Sequence, residues 1–164
     1  TAAGDGASAI GLGTTAYGSG AMAIGELSTA SGYGSVASEK WATSYGVGSQ
    51  ATGQSATAIG GQMTVINGTT WEEETWSTEA SGQESTAIGV AAHATNYGSV
   101  AIGAVSEASG ESSTAIGPAS TARGDWSVAI GEQTRSYGAF STAVGNWSEA
   151  HGDRSVAIGG IAYG

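Results

Sequence analysis

The feature that most constrains the fold is a short internal repeat. A tripeptide of alanine, a branched aliphatic residue and glycine recurs nine times, and from Ile88 to Ile158 its central residue returns every 14 residues. A second glycine stands eight residues after most of these central residues, and Asn96, which tolerates the left-handed conformation, replaces one of them. The copies are Ala9-Ile10-Gly11, Ala23-Ile24-Gly25, Ala58-Ile59-Gly60, Ala87-Ile88-Gly89, Ala101-Ile102-Gly103, Ala115-Ile116-Gly117, Ala129-Ile130-Gly131, Ala143-Val144-Gly145 and Ala157-Ile158-Gly159, with Ser44-Tyr45-Gly46 as a degenerate tenth.

This spacing predicts an all-β solenoid in which each coil contains two short strands and two tight turns. Glycine at two fixed positions supplies the backbone angles that tight turns require, and the same glycines exclude a helix. About ten coils account for the whole chain. We therefore expect residues 1–164 to form a single structural unit.

The two faces of each predicted strand carry different residues. In Ser99-Val100-Ala101-Ile102 the side chains alternate, so serine and alanine share one face while valine and isoleucine share the other. We expect the small residues to fill the interior of a flattened roll and the aliphatic residues to form one outward ladder. Single chains rarely expose such a stripe, which predicts that another chain covers it. The ladder comprises Ile10, Ile24, Ile59, Ile88, Val100, Ile102, Ile116, Val128, Ile130, Val144, Val156 and Ile158.

Two insertions interrupt the spacing. A half repeat near residues 33–39 lacks the aliphatic residue, and we expect the roll to continue through it. A longer, hairpin-like insertion near residues 61–75 contains Asn67-Gly68, a pair typical of the type I′ turn. We predict that Met63-Thr64-Val65-Ile66 pairs across this turn with Thr69-Thr70-Trp71, and that the acidic and aromatic residues that follow form a strand or loop.

The charge balance excludes several partners. Four basic residues stand against fourteen acidic ones, and the formal net charge is −10. Because no basic cluster could neutralise phosphates, we expect no nucleic acid partner and no anionic membrane surface. The chain has no cysteine, which excludes disulfides and thiolate metal sites, and no apolar run approaches the roughly 20 residues of a membrane helix. We therefore expect no membrane contact by this fragment.

The sequence contains no arrangement that predicts catalysis. His93 and His151 occupy neighbouring phases of the repeat, and neither has a serine and an aspartate at a defined spacing. We interpret both as solvated polar residues. The columns of serine and threonine are interpreted as structural, since a hydroxyl needs a partner base to become a nucleophile. We expect no enzyme activity, no cofactor and no metal site.

Residues for ligand contact are expected where neither the interior nor the ladder dictates the side chain. The longer insertion combines rigid aromatic residues with carboxylates, a mixture found in binding hot spots, and a solvated acidic edge is the alternative. Trp41, Trp126 and Phe140 share the parity of the aliphatic face, so we expect them to pack at a subunit seam rather than form a binding patch. The candidate ligand-binding residues are Met63, Trp71, Glu72, Glu73, Glu74, Trp76 and Trp147.

The repeat resembles the YadA-like head domain of the trimeric autotransporter adhesins, whose coils carry a motif close to S-V-A-I-G-x-x-S-x-A-x-G. Ser99-Val100-Ala101-Ile102-Gly103, with Ser106, Ala108 and Gly110, matches every defined position. The resemblance implies a left-handed parallel β-roll in a homotrimer, with the aliphatic ladder at the three-fold axis as the trimer core. It also implies an outer-membrane-anchored head on the bacterial cell surface that serves virulence by adhesion to a host extracellular matrix protein or cell receptor.

The chain also departs from the family pattern. Ala7, Ala21 and Ala56 stand where the motif has serine, and the insertion near 61–75 lies outside it, so the resemblance does not carry a particular ligand to this chain. A binding module at the tip of a phage or other fibre and a structural spacer that projects another adhesive domain are the alternative functions. Ice-binding solenoids need a regular threonine face, which Val100 and Val128 break, and the calcium-binding repeat pattern is absent.

Overall fold

The computed structural model describes residues 1–66 and 73–159, in which successive strands alternate between two parallel β-sheets. Sheet 1 contains β1 (Ala2–Ala3), β3 (Thr15–Tyr17), β5 (Thr29–Ser31), β7 (Thr43–Tyr45), β9 (Thr57–Ile59), β13 (Thr86–Ile88), β15 (Val100–Ile102), β17 (Thr114–Ile116), β19 (Val128–Ile130), β21 (Thr142–Val144) and β23 (Val156–Ile158). Sheet 2 contains β2 (Ser8–Ala9), β4 (Met22–Ala23), β6 (Val36–Ala37), β8 (Gln50–Ala51), β12 (Glu79–Ala80), β14 (His93–Ala94), β16 (Glu107–Ala108), β18 (Thr121–Ala122), β20 (Arg135–Ser136) and β22 (Glu149–Ala150).

Each coil of this solenoid consists of two similar halves, each made of a strand and a turn. Ala101 of β15 pairs with Ala87 and Ala115, one coil before and one coil after, while Ala108, seven residues on, belongs to sheet 2. The all-β parallel solenoid with 14-residue coils is therefore confirmed. The eleven strands of sheet 1 give about one coil more than the sequence predicted. Three of them, β1, β3 and β5, do not carry the repeat tripeptide, while two copies of the tripeptide lie in sheet 2.

Only small side chains occupy the interior of the roll. Ala101 and Ala108 have no exposed surface, nor does the interior Ser99 between the turn and β15. The Ser99 hydroxyl donates a hydrogen bond to the Asn96 carbonyl (2.8 Å), and the Ser106 hydroxyl does the same to Gly103 (2.9 Å), so these two serines close the turns that precede them. The predicted division into a small-residue interior and an outward aliphatic face is confirmed.

The prediction of one ladder from Ile10 to Ile158 is wrong at its N-terminal end. Ile10 and Ile24 follow β2 and β4 in sheet 2, and their backbone amides donate to the carbonyls of the next strands of that sheet. The half repeat at residues 33–39 is an ordinary half coil that contains β6. It moves the aliphatic tripeptide from sheet 2 to sheet 1, because seven residues always lead to the opposite sheet. In sheet 1 the column of Ile59 continues towards the N-terminus through Tyr45, Ser31 and Tyr17.

The longer insertion is an antiparallel hairpin of β10 (Gln62–Ile66) and β11 (Glu73–Ser77). Ile66 pairs with Glu73, so the predicted pairing of Met63-Thr64-Val65-Ile66 with Thr69-Thr70-Trp71 is wrong, and the expected Asn67-Gly68 turn lies outside the described residues. The hairpin replaces a turn between β9 and β12. Thr78 then resumes the interior column, and its hydroxyl contacts the carbonyl oxygens of Gly61 (2.9 Å) and Gly89 (2.5 Å).

The turns lie along two edges of the roll. Turns that lead from sheet 1 to sheet 2, among them residues 103–105 and 145–147, form edge 1, and the hairpin leaves the roll there. Turns that return to sheet 1, among them residues 124–126 and 138–140, form edge 2. In the part of the chain that the structure describes, no helix is long and apolar enough to span a membrane.

Candidate functional site

The outward face of sheet 1 is apolar from β9 to β23. One column holds an isoleucine or valine in every strand, and the register aligns Ile88 with Ile102 and Ile102 with Ile116. A second column alternates threonine with valine. These side chains remain partly exposed in the single chain: Ile116 is 36% and Ile158 79% exposed, while Ile88 and Ile102 are less exposed than Ile116. This face carries ten of the predicted trimer-core residues, namely Ile59, Ile88, Val100, Ile102, Ile116, Val128, Ile130, Val144, Val156 and Ile158.

The outward face of sheet 2 is polar over the same coils. Arg123 donates to both carboxylate oxygens of Glu107, each at 3.1 Å, and Arg135 pairs with Glu149. His151 lies 2.9 Å from the other carboxylate oxygen of Glu149. The two sheets of one roll thus present opposite surfaces, one aliphatic and one ion-paired.

These ion pairs change the titration of the carboxyl groups. The hydrogen bonds from Arg123 hold the pKa of Glu107 below its ordinary value, against the opposing effect of partial burial. The pKa of Glu149 is lowered by its hydrogen bond to His151 and then by the one to Arg135. Both carboxylates are therefore ionised at neutral pH, with cationic partners beside them.

The hairpin presents one of its faces to the roll. Met63 and Val65 are half-buried and stand opposite Trp76 and Glu74, so these four side chains share a face. Trp76 lines a cleft of about 210 Å³ together with Ala91, His93, Val105, Ser106 and Glu107. The His93 ring connects the roll to the hairpin, because its Nε2 lies within hydrogen-bond distance, 3.1 Å, of the carbonyl oxygen of Ser77.

The other predicted aromatic residues lie in turns. Trp41, Trp126 and Phe140 occupy the third position of edge 2 turns with φ values of 60°, 53° and 56°, so they are not part of the aliphatic strand face as their parity suggested. Trp126 and Phe140 stack with ring centroids 5.0 Å apart. The ammonium group of Lys40 lies 4.4 Å from the centroid of the Trp41 ring. Whether they pack at a subunit seam stays a prediction.

The structure brings together part of the predicted ligand-binding set. Met63, Glu74 and Trp76 share the hairpin face towards the roll, whereas Glu73 lies on the opposite face; Glu73, Glu74 and Trp76 are all exposed to some extent. Trp147 belongs to edge 1 too, but five coils farther along the roll, about 24 Å at the usual strand spacing. The predicted residues Trp71 and Glu72 lie outside the described residues.

The wall that the roll contributes to this cleft was not predicted from the sequence. His93 was interpreted as solvated and Glu107 was not singled out, yet both lie beside Trp76. The seven-residue spacing of the half coils could have identified this wall. When the sequence is aligned in rows of seven residues, the turn 89–91 and β14 lie next to the point where the hairpin rejoins the roll.

Within residues 1–66 and 73–159, no three histidine or acidic side chains gather in a way that could hold a metal ion. An exposed indole, an imidazole and an ion-paired carboxylate lie around one cleft.

Comparison with known families gives one match. The model described as YadA head domain repeat (two copies) matches residues 2–25, 16–38, 42–62, 80–106, 108–134 and 136–160, which together cover most of the chain. Comparison with curated proteins gives no match.

Proposed function

Because the chain belongs to the YadA head domain family, we propose that it is the head of a trimeric bacterial surface adhesin that attaches the cell to a host extracellular matrix protein or cell-surface receptor, without catalysis. The family and the parallel solenoid support this class of function. The observation that carries the proposal is the contrast between the aliphatic face of sheet 1 and the ion-paired face of sheet 2.

This contrast determines which face a trimer would bury. Removing apolar surface from water contributes roughly 25 cal/mol per Å², and Ile102 and its column form a continuous apolar strip along seven strands. Exposed ion pairs such as Arg123–Glu107 contribute only about 0–1 kcal/mol each, so burying sheet 2 would bring no comparable gain. We therefore assign sheet 1 to the three-fold axis and sheet 2 to the solvent.

In such a trimer the hairpin would occur three times around the head. Its exposed carboxylates and the half-exposed Trp76 are the surface we assign to host contact, with Trp147 as a second position on edge 1. Three copies on one rigid head convert a weak contact into strong attachment by avidity. The placement on the bacterial surface and the role in virulence are part of the proposal that the chain is an adhesin head.

The hydrogen bonds of the described residues also favour a binding function over catalysis. Ser99 and Ser106 donate to turn carbonyls, and His151 bonds to the Glu149 carboxylate rather than to a hydroxyl. A serine activated for attack would instead donate to a base.

The test compares the purified parent protein with a variant that lacks residues 63–77. This deletion leaves Gly60, Gly61 and Gln62 as an ordinary turn before Thr78, so we expect the variant to keep the fold and the trimer. Tyr33→Ala is the matched control, because it removes an aromatic side chain that is 66% exposed in another edge 1 turn.

We expect the parent and Tyr33→Ala to bind immobilised matrix proteins or cultured host cells and the deletion variant to lose that binding. A deletion variant that forms the trimer and binds like the parent would refute the role of the hairpin. A parent trimer that binds none of these surfaces would contradict the adhesin function and favour the structural spacer.

A further inference from the structure

The cleft between the hairpin and the roll has the size of a site for one small ring. Its volume of about 210 Å³ lies below the roughly 300–1,000 Å³ of pockets that hold drug-sized ligands. Trp76 forms one wall and is 39% exposed, so part of its indole remains available for contact. Ala91 and Val105 add apolar surface from two successive turns of edge 1.

The polar groups of the cleft are chiefly hydrogen-bond acceptors. The Ser77 carbonyl oxygen can only accept a hydrogen bond, so the proton of a neutral His93 ring lies on Nε2. Nδ1 of that ring is then a hydrogen-bond acceptor. The Ser106 hydroxyl donates to the Gly103 carbonyl and is buried in the roll interior, so it offers no acceptor to a ligand. Glu107 accepts two bonds from Arg123 and one from Ser109, whereas a carboxylate has about four lone-pair sites. A matching ligand must therefore carry several donors.

The charges favour a neutral ligand. The carboxylate of Glu107 is balanced by the bidentate guanidinium of Arg123, so it offers little attraction to a free cation. An anion would meet Glu107 and also Glu79, which neighbours His93 in sheet 2. Hydroxyl groups supply donors without charge, and the C–H surface of a saturated ring can pack on an indole face.

We propose that the cleft of Trp76, His93 and Glu107 binds one neutral pyranose residue of a host glycan, with the ring against the indole and its hydroxyls donating to the imidazole and carboxylate. This assignment rests on the proposed adhesin function and names the chemistry of its ligand. With sheet 1 at the axis, the cleft lies on the solvent side of each protomer.

The experiment uses saturation-transfer NMR on the purified protein with methyl β-glucoside, methyl β-galactoside and methyl α-mannoside as separate probes. We expect saturation of the ring protons of at least one glycoside by the parent. Trp76→Ala should weaken that binding at least tenfold without changing the mass of the assembly, whereas Tyr33→Ala should bind as the parent does. Glu107→Gln should also weaken binding, because an amide replaces a charged acceptor by a neutral one.

Three results would overturn the inference: none of the three glycosides receives saturation, Trp76→Ala binds as the parent does, or choline or N-acetylneuraminic acid binds the cleft in place of the neutral glycosides. The last result would replace the proposed pyranose by a cationic or an anionic ligand. The proposed function fails separately, since a parent that binds a glycoside but no host surface would contradict adhesion while leaving the cleft assignment intact.

Discussion

The close stacking of the coils predicts that any side chain at Gly117, the first residue of an edge 1 turn, destabilises the fold. Its φ is +127°, outside the region that residues with a Cβ readily adopt. A Cβ built there would lie 2.5 Å from the carbonyl oxygen and 2.7 Å from the carbonyl carbon of Gly131 in the next coil. Gly131 cannot move away freely, because its amide donates a 2.8 Å hydrogen bond to the Ile116 carbonyl.

The magnitude follows from these two effects. A residue held in a sparsely populated backbone region costs about 1–3 kcal/mol. Forcing a methyl group into packed backbone costs a further 1–3 kcal/mol or so. Gly117→Ala should therefore lower the free energy of unfolding by roughly 2–6 kcal/mol per protomer.

Gly34→Ala is the matched control on the same edge. Gly34 is the third turn residue, its φ of +61° matches that of Val105 and Trp147 in equivalent turns, and a Cβ there meets nothing within 4 Å. Its cost in the left-handed region is about 1–2 kcal/mol, partly offset because alanine reduces the freedom of the unfolded chain.

The assay is denaturant unfolding followed by circular dichroism, with both variants and the parent at one protomer concentration. Gly117→Ala should unfold at a clearly lower denaturant concentration than Gly34→Ala. Equal midpoints for the two variants would refute the argument that the backbone of the next coil forbids a side chain at Gly117.

Two further predictions concern the interior and the ion-paired face. Ala115→Leu should overpack the buried column and lower the free energy of unfolding by at least 1–3 kcal/mol, whereas Thr114→Leu on the outward face should not; equal thermal stability of the two would reverse the assignment of faces. The pKa of Glu107 is lowered in the folded state, so its pairing with Arg123 stabilises the fold at pH values above the ordinary carboxyl pKa of 4.5. This stabilisation is lost as the pH falls from there through the lower pKa of the folded state. The stability difference between the parent and Glu107→Gln should therefore shrink on acidification, and a pH-independent difference would contradict the pairing.

The solenoid could be predicted from the sequence because its two constraints are local. Glycine at fixed turn positions and the alternation of small and aliphatic residues, as in Val100, Ala101 and Ile102, specify a two-stranded coil with a narrow interior. The same alternation predicted which side chains are buried. No long-range information was required, since each coil contacts chiefly its neighbours.

The sheet that carries Ile10 and Ile24 was predicted wrongly because the half repeat at residues 33–39 was expected to leave the tripeptide on the same face. Both halves of a coil have the same small interior residues, as Ser35 and Ala37 show in β6 and its turn. An extra half coil therefore leaves the pattern of interior residues unchanged and alters only which sheet carries the outward aliphatic residues. Counting interior positions every seven residues gives the correct sheet.

The register of the hairpin was predicted wrongly because it was based on a local turn signal alone. The requirement that both ends of the insertion meet at the roll was not used. A turn at Asn67-Gly68 would pair Gln62 with Glu73 and leave residues 74–77 unpaired before Thr78. The observed pairing of Gln62 with Ser77 starts directly at the roll and leaves no such gap. The cleft could not be predicted, because it depends on how the hairpin face with Trp76 lies against His93 and Val105.

If three chains bury the aliphatic face of sheet 1, light scattering of the purified protein should give an assembly with three times the 15.9 kDa mass of the chain. We expect the parent protein to show this mass. We also expect that Ile102→Asp destroys this assembly because it buries a charge without a partner, whereas Ile10→Asp on sheet 2 preserves it. A parent chain that is folded as a monomer, or an assembly that survives Ile102→Asp, would show that sheet 1 is not buried in a trimer.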